Sequence, residues 1–172
     1  MRAAAVLALV LAACGQAPQP PVASAPAGAW QEFEGTWNGA GTRRTLALGD
    51  GRRATLLDLK GTLLLAGPGR PGVGFRGETL AFTDSATGLV GRSVWTDERG
   101  DQVFSELKGE GTAAKNRIMG TFLGGTGRYA GVTGGYEFSW QYVVESEEGS
   151  IQGRATGLRG RFRVGPAPEG AK

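Results

Sequence analysis

Residues 120–144 read GTFLGGTGRYAGVTGGYEFSWQYVV, and their reading decides the fold. From Gly135 the stretch alternates. Tyr136, Phe138, Trp140, Tyr142 and Val144 fall on one side of an extended chain, and Glu137, Ser139, Gln141 and Glu145 on the other. Successive side chains of a strand point to opposite faces, so this is a half-buried strand with its aromatic side inward. Before it, Gly124, Gly125, Gly127, Gly131 and Gly134 crowd around Tyr129. Glycine reaches positive φ without a Cβ penalty, so this segment reads as a compact turn between two strands.

Outward from there the pattern repeats. In Thr55–Leu65, Leu57, Leu59, Leu63 and Leu65 share one side, while Asp58, Lys60 and Thr62 share the other. Weaker strands are predicted at Phe33–Gly41, Arg44–Leu48, Val73–Thr83, Leu89–Thr96, Gln102–Thr112, Arg117–Phe122 and Ser150–Val164. Turn signals fall between them at Gly49-Asp50-Gly51, Glu98-Arg99-Gly100-Asp101 and Glu147-Glu148-Gly149. No stretch shows a helical period. Seven to nine short strands with such turns imply an all-β sandwich or barrel. Inward glycines such as Gly61 and Gly120 favour the barrel, because they allow the coiling that closure needs. Open edges on so long a sheet would also invite aggregation. A transmembrane barrel would carry regular outward apolar bands with aromatic girdles, and these strands do not.

The run Gly120–Gly135, with its core Gly124-Gly125-Thr126-Gly127-Arg128-Tyr129-Ala130-Gly131, resembles a signature of the allene oxide cyclase and dirigent barrel-like superfamily. The upstream Leu107-Lys108-Gly109-Glu110-Gly111-Thr112 fits the strand that precedes it, and the match is good over roughly Asp101–Val144. The resemblance implies a single antiparallel eight-stranded β-barrel of calycin-like shape. In such a barrel Gly124, Gly125, Gly127, Gly131 and Gly134 form the structural motif, and Tyr129 folds under the barrel end as a plug. It also implies an enzyme-like alternative, in which cyclisation or coupling of a hydrophobic substrate is steered by shape, ordered water and a few polar groups. No catalytic set carries over residue by residue, and fold alone does not license the activity. A phosphate-cradling loop is excluded as a reading, since strands flank this turn on both sides and no helix amino terminus follows.

The chain opens Met1-Arg2 and continues with the apolar run Ala3–Ala13. That is too short to span a bilayer, which needs about 20 apolar residues. It has the layout of a secretory signal. Leu11-Ala12-Ala13-Cys14 resembles a bacterial lipobox, so residues 1–13 are expected to be removed and Cys14 to carry the lipid. Cys14 is the only cysteine, which excludes an internal disulfide. Gly15 follows it, with no inner-membrane retention Asp, so an outer-membrane, periplasm-facing lipoprotein is expected. Residues 14–29 are Pro/Ala-rich and hold four of the eight prolines. Such a linker is extended and reaches roughly 45 Å. The barrel domain is placed at residues 30–164, and 165–172 form a loose tail.

The chemistry that the sequence offers is sparse. There is no histidine, which removes the usual neutral-pH base and the commonest transition-metal ligand. With Cys14 acylated, thiolate chemistry goes too. No cofactor and no metal are expected. Asp97, Glu98 and Asp101 cluster at a predicted turn and read as a solvated loop, as do Glu145, Glu147 and Glu148. Asp58, Glu78, Glu106, Glu110 and Glu137 lie on predicted strands. Glu137 faces away from the aromatic side, whereas the direction of Glu106 and Glu110 stays open. A carboxylate aimed into an apolar lumen would have a raised pKa and serve as an acid or base.

The formal charge is +3. Arg43, Arg44, Arg52 and Arg53 cluster early, and Arg154, Arg159, Arg161 and Arg163 late. Pairing of the first and last strands would merge them into one basic surface facing anionic lipid; isolated solvated charges are the plainer reading. The leading expectation is a lipid-anchored envelope barrel, not catalytic, that binds a small apolar ligand or an envelope partner and no nucleic acid. Tyr136, Phe138, Trp140 and Tyr142 would line its interior, either around a ligand or as packed core. A third alternative is a purely structural envelope interaction module.

Overall fold

The structure, a computed structural model, describes residues 28–110 and 117–165. Cys14, the signal and nearly all of the linker lie outside them, as do residues 166–172. Eight strands run β1 (Gln31–Ala47), β2 (Arg53–Ala66), β3 (Gly74–Asp84), β4 (Gly88–Thr96), β5 (Gln102–Gly109), β6 (Arg117–Gly125), β7 (Val132–Glu145) and β8 (Ser150–Val164). Each pairs antiparallel with its sequence neighbour, and β1 pairs with β8 to close the barrel. The fold is the all-β, closed eight-stranded antiparallel barrel read from the sequence.

One difference concerns β1. The two short strands expected at Phe33–Gly41 and Arg44–Leu48 are a single 17-residue strand. Gly41 does not interrupt it. A Cβ there would sit 1.8 Å from the Asp58 carbonyl oxygen, and one on Gly61 would sit 1.8 Å from that of Asn38. These glycines let β1 and β2 approach closely and coil together. β5 ends at Gly109, and Thr112, the end of the expected strand, lies outside the described residues.

Alternation places Phe33, Trp37, Leu57, Leu59, Leu63, Leu65, Phe75, Trp95, Val103, Leu107, Phe122, Tyr136, Phe138, Ile151, Leu158 and Phe162 inside, all buried. Inward glycines make room for the rings among them. The Tyr136 ring lies flat over Gly120, where a Cβ would meet its Cζ at 2.2 Å. Phe33 lies over Gly160 in the same way, at 2.5 Å. Ring pairs then tile the interior. Trp95 packs against Tyr136 at 4.5 Å between centroids and edge-on to Phe122 at 5.6 Å. Trp37 packs against Trp140 at 5.1 Å. Such offset and edge contacts add roughly 0.5–1.5 kcal/mol each beyond area burial.

The barrel has two distinct ends. One holds the start of β1, the β2–β3, β4–β5 and β6–β7 connections and the end of β8; it is called the plug end below. The other holds the β1–β2, β3–β4 and β7–β8 turns.

Candidate functional site

The plug end is built by the glycine motif. Gly127–Tyr129 form one turn of 3₁₀ helix, and Gly124, Gly127, Gly131 and Gly134 all have positive φ. Gly127 has a second reason to be glycine, since a Cβ there would lie 1.9 Å from the Asp101 carboxylate. That carboxylate accepts from the Arg128 backbone N–H at 3.2 Å and so caps the turn. Tyr129 is folded in beneath the barrel end, 2% exposed, against Phe75.

Asp97 is not in a solvated loop. Its side chain is fully buried beside Tyr129. The carboxylate accepts from the Tyr129 hydroxyl at 3.0 Å, from the backbone N–H of Arg99 at 2.8 Å and from that of Asp101 at 3.0 Å. Arg128 closes the group with an ion pair at 2.6 Å. Burial works to raise the Asp97 pKa. The Arg99 amide, the Tyr129 hydroxyl, the Asp101 amide and the Arg128 charge outweigh it and hold Asp97 below the usual carboxylate range. Burial, and then the bond to Asp97, push the Tyr129 phenol up, so it stays protonated. Both oxygens of the Asp97 carboxylate have two partners each, so the cluster is a clasp and not a poised acid or base. Sequence reasoning missed Asp97 because its partner lies 32 residues away, in a motif that carries no sign of a carboxylate.

Of the four aromatic residues of β7, Tyr136 and Phe138 are buried in the lumen. Trp140 is part-buried beside Trp37, and Tyr142 is 38% exposed at the rim, where the Arg43 guanidinium lies 6.0 Å from its ring. Val144 is also exposed, because a register shift between Tyr142 and Val144 sets it opposite the outward Gln152. A belt of hydroxyls crosses the interior. Thr79, Ser93 and Ser105 face one another in register, and Thr79 donates to Ser93 at 3.1 Å. Burial pushes the Tyr136 phenol up to about 12, with Ser105 and Ser93 pulling the other way. Ser105 Oγ is near enough to influence the phenol, yet it and Trp37 Nε1 make no hydrogen bond of ordinary geometry. The void among these groups, touching Trp37, Ser93, Trp95, Tyr136 and Phe138, is about 10 Å³. That is close to the least space that holds one water, whereas small-molecule pockets run to roughly 300–1,000 Å³.

None of the five strand carboxylates singled out in the sequence enters the lumen. Glu106 is outward, paired with Lys108 at 2.6 Å and Arg92 at 3.2 Å. Glu137 is outward between Arg117 and Arg159, and Glu78 lies between Lys60 and Arg76. Asp58 and Glu110 are exposed. Glu137 is held below its ordinary pKa by hydrogen bonds from Arg117 and Arg159, and Glu106 by one from Lys108. Among the described residues no group of three His, Cys, Asp or Glu side chains could hold a metal ion.

The outer wall carries the more distinctive features. Leu56, Phe82 and Val90 stand directly opposite one another across β2, β3 and β4. With Leu80 they form an exposed apolar strip, rimmed by Arg44 and Lys108. On the opposite side an open groove runs past Trp30, Glu34, Met119, Arg159 and Arg161 at the plug end. The two arginine clusters do not merge. β1 pairs with β8, but Arg161 stands opposite Glu32 near one end and Thr42 opposite Ser150 near the other. From Glu32 to Arg43 is roughly 36 Å of strand, and Arg154, opposite Asn38, is still roughly 17 Å short of Arg43.

Comparison with known proteins adds a likeness of shape. No family model matches the chain, and no curated protein does. Among solved structures it is similar to the pterocarpan synthase dirigent protein GePTS1, with 14% sequence identity and a TM-score of 0.45. The match covers 87% of this chain and 99% of that one. At that level the likeness carries no residue role and no reaction to this chain.

Proposed function

We propose that this chain is a lipid-anchored envelope protein whose barrel is a filled scaffold, binding an envelope partner through its outer wall without catalysis. The observation that carries this reading is the packed interior. Aromatic rings over glycines occupy the space that a ligand would need, and the void among Trp37, Ser93, Trp95, Tyr136 and Phe138, about 10 Å³, admits no organic molecule. The two end features support it. The clasp of Asp97, Tyr129 and Arg128 braces one end, and Trp140 sits over Trp37 toward the other. Binding energy is then available only outside, where Leu56, Leu80, Phe82 and Val90 form a contiguous apolar strip. The lipobox-like Leu11-Ala12-Ala13-Cys14 supports the anchor.

Two experiments test the two halves. Labelled palmitate supplied to bacteria expressing the chain is expected to enter the protein and to be lost in Cys14→Ala; label retained by that variant would overturn the anchor. A photoreactive residue at position 82 is expected to crosslink an envelope component in cells, whereas one at position 93, inside the barrel, reacts only within the chain. The reverse pattern would return the function to the lumen.

A further inference from the structure

Trp30 lies at the plug end, beside the point where the linker leaves the barrel. The Gly28 N–H donates to the Val164 carbonyl at 3.2 Å, which pins the departing chain against the last residue of β8. Two side chains of that strand, Arg161 and Arg163, lie 4.9 and 5.0 Å from the Trp30 ring centroid. Both arginines are exposed, and Trp30 is 48% exposed. Most other arginines of the wall are paired. Arg159 and Arg117 hold Glu137, and Arg128 holds Asp97. Neither Arg161 nor Arg163 enters an ion pair among the described residues; Arg163 only donates to the Thr133 hydroxyl at 3.3 Å.

Two guanidinium groups on one ring can be bridged by a single anion. The ring face attracts each guanidinium, but the pair repel one another until an anion bridges them. Guanidinium forks fit phosphate oxygens bidentately, and an indole prefers the boundary between water and lipid. The linker starts from this same corner, so an anchor at its far end keeps this face tethered to the membrane. We infer that Trp30, Arg161 and Arg163 form a docking foot for an anionic phospholipid surface. The foot sets the barrel plug-end down on the membrane and turns the opposite turns and the apolar strip toward the envelope space. This inference rests on the lipid-anchor reading for its geometry, and its chemistry is separate from it.

The test uses the mature lipidated chain mixed with vesicles of phosphatidylcholine alone, or of phosphatidylcholine with phosphatidylglycerol. Co-sedimentation reports the anchor. Quenching of Trp30 by neutral acrylamide, taken as the difference between the native chain and Trp30→Phe, reports the foot. Trp30 is expected to be shielded on the phosphatidylglycerol vesicles only, and to lose that shielding in high salt. Arg161→Ala with Arg163→Ala is expected to lower the docked-to-undocked ratio about 30-fold, at roughly fivefold per arginine near the surface. Both side chains are exposed, so an unchanged melting transition will show that the barrel remains folded. Sedimentation with both vesicle types and equal quenching on each would overturn the foot and keep the anchor. Sedimentation with phosphatidylglycerol alone would keep the foot and overturn the anchor, and sedimentation with neither would overturn both.

Discussion

The Tyr129 hydroxyl donates a hydrogen bond to the Asp97 carboxylate at 3.0 Å, joining two loops that are 32 residues apart and closing the plug end of the barrel. Tyr129 belongs to the β6–β7 connection and Asp97 to the β4–β5 connection, so the bond ties together turns that the strand ladder alone leaves independent. Tyr129→Phe keeps the ring in place and removes only the donor. A hydrogen bond to a charged, buried acceptor contributes about 1.5–3 kcal/mol, so a loss of about 2 kcal/mol in urea unfolding is expected. A change below about 0.5 kcal/mol would mean that water replaces the hydroxyl and that the clasp has no role in stability.

Acid stability follows from the same pair. The folded-state pKa of Asp97 lies below its unfolded value, so its contribution is fully present above the unfolded pKa of about 3.9 and is lost as pH falls through the folded value. The unfolding midpoint is therefore expected to be level from about pH 5 upward and to fall below about pH 4. Asp97→Asn lowers the plateau and flattens the acid limb. Glu106 and Glu137 shift in the same direction, but both are solvent-facing and add little once screened. With no histidine in the chain, no step is expected between pH 5 and 8.

The alkaline limb has the opposite sign. The Tyr136 phenol is raised to about 12 when folded. Its stabilisation is present below the unfolded value of about 10 and is lost as pH rises toward 12. Native protein is expected to show delayed tyrosine ionisation by ultraviolet absorbance, with unfolding setting in above about pH 10. Tyr136→Phe moves that onset upward. An onset unchanged by the substitution would place the alkaline sensitivity elsewhere.

How much of this was legible in the chain is clearest along β7. Alternation identified Tyr136 and Phe138 as inward residues, and they are. The same alternation gave neither depth nor irregularity: Tyr142 lies at the exposed rim, and a register shift after it turns Val144 to the outer face opposite Gln152. The Gly124–Gly134 motif announced a turn and a plug. It could not announce Asp97, whose burial depends on a partner brought over by the closed ladder. Gly41 read as a break between strands because glycine ends strands more often than it lets two of them touch. The arginine clusters were visible, but which barrel end each occupies depends on register, and register became clear only once β1 met β8.

Glycine under a ring is the packing device most directly open to mutation. Gly120→Ala puts a methyl 2.2 Å from the Tyr136 ring, whereas at Gly74 the nearest atom is Leu64 Cδ2 at 3.7 Å. Overpacking a tight core costs about 1–3 kcal/mol, so Gly120→Ala is expected to destabilise by that amount and Gly74→Ala by under about 1 kcal/mol. Adding Tyr136→Leu to Gly120→Ala should recover part of the loss, which a double-mutant cycle reads as coupling. Additive losses would mean that the ring does not lie where the packing places it.

The filled interior is tested most directly by native mass spectrometry of the mature lipidated chain, purified gently from its own envelope. The expected spectrum shows the mass of the chain and its acyl groups, unchanged by organic extraction of noncovalent lipids and the same in every preparation. A reproducible further mass that survives gentle purification, disappears on extraction and is lost in a variant that alters only luminal residues such as Ser93 would contradict it, and would make the barrel a carrier or an enzyme.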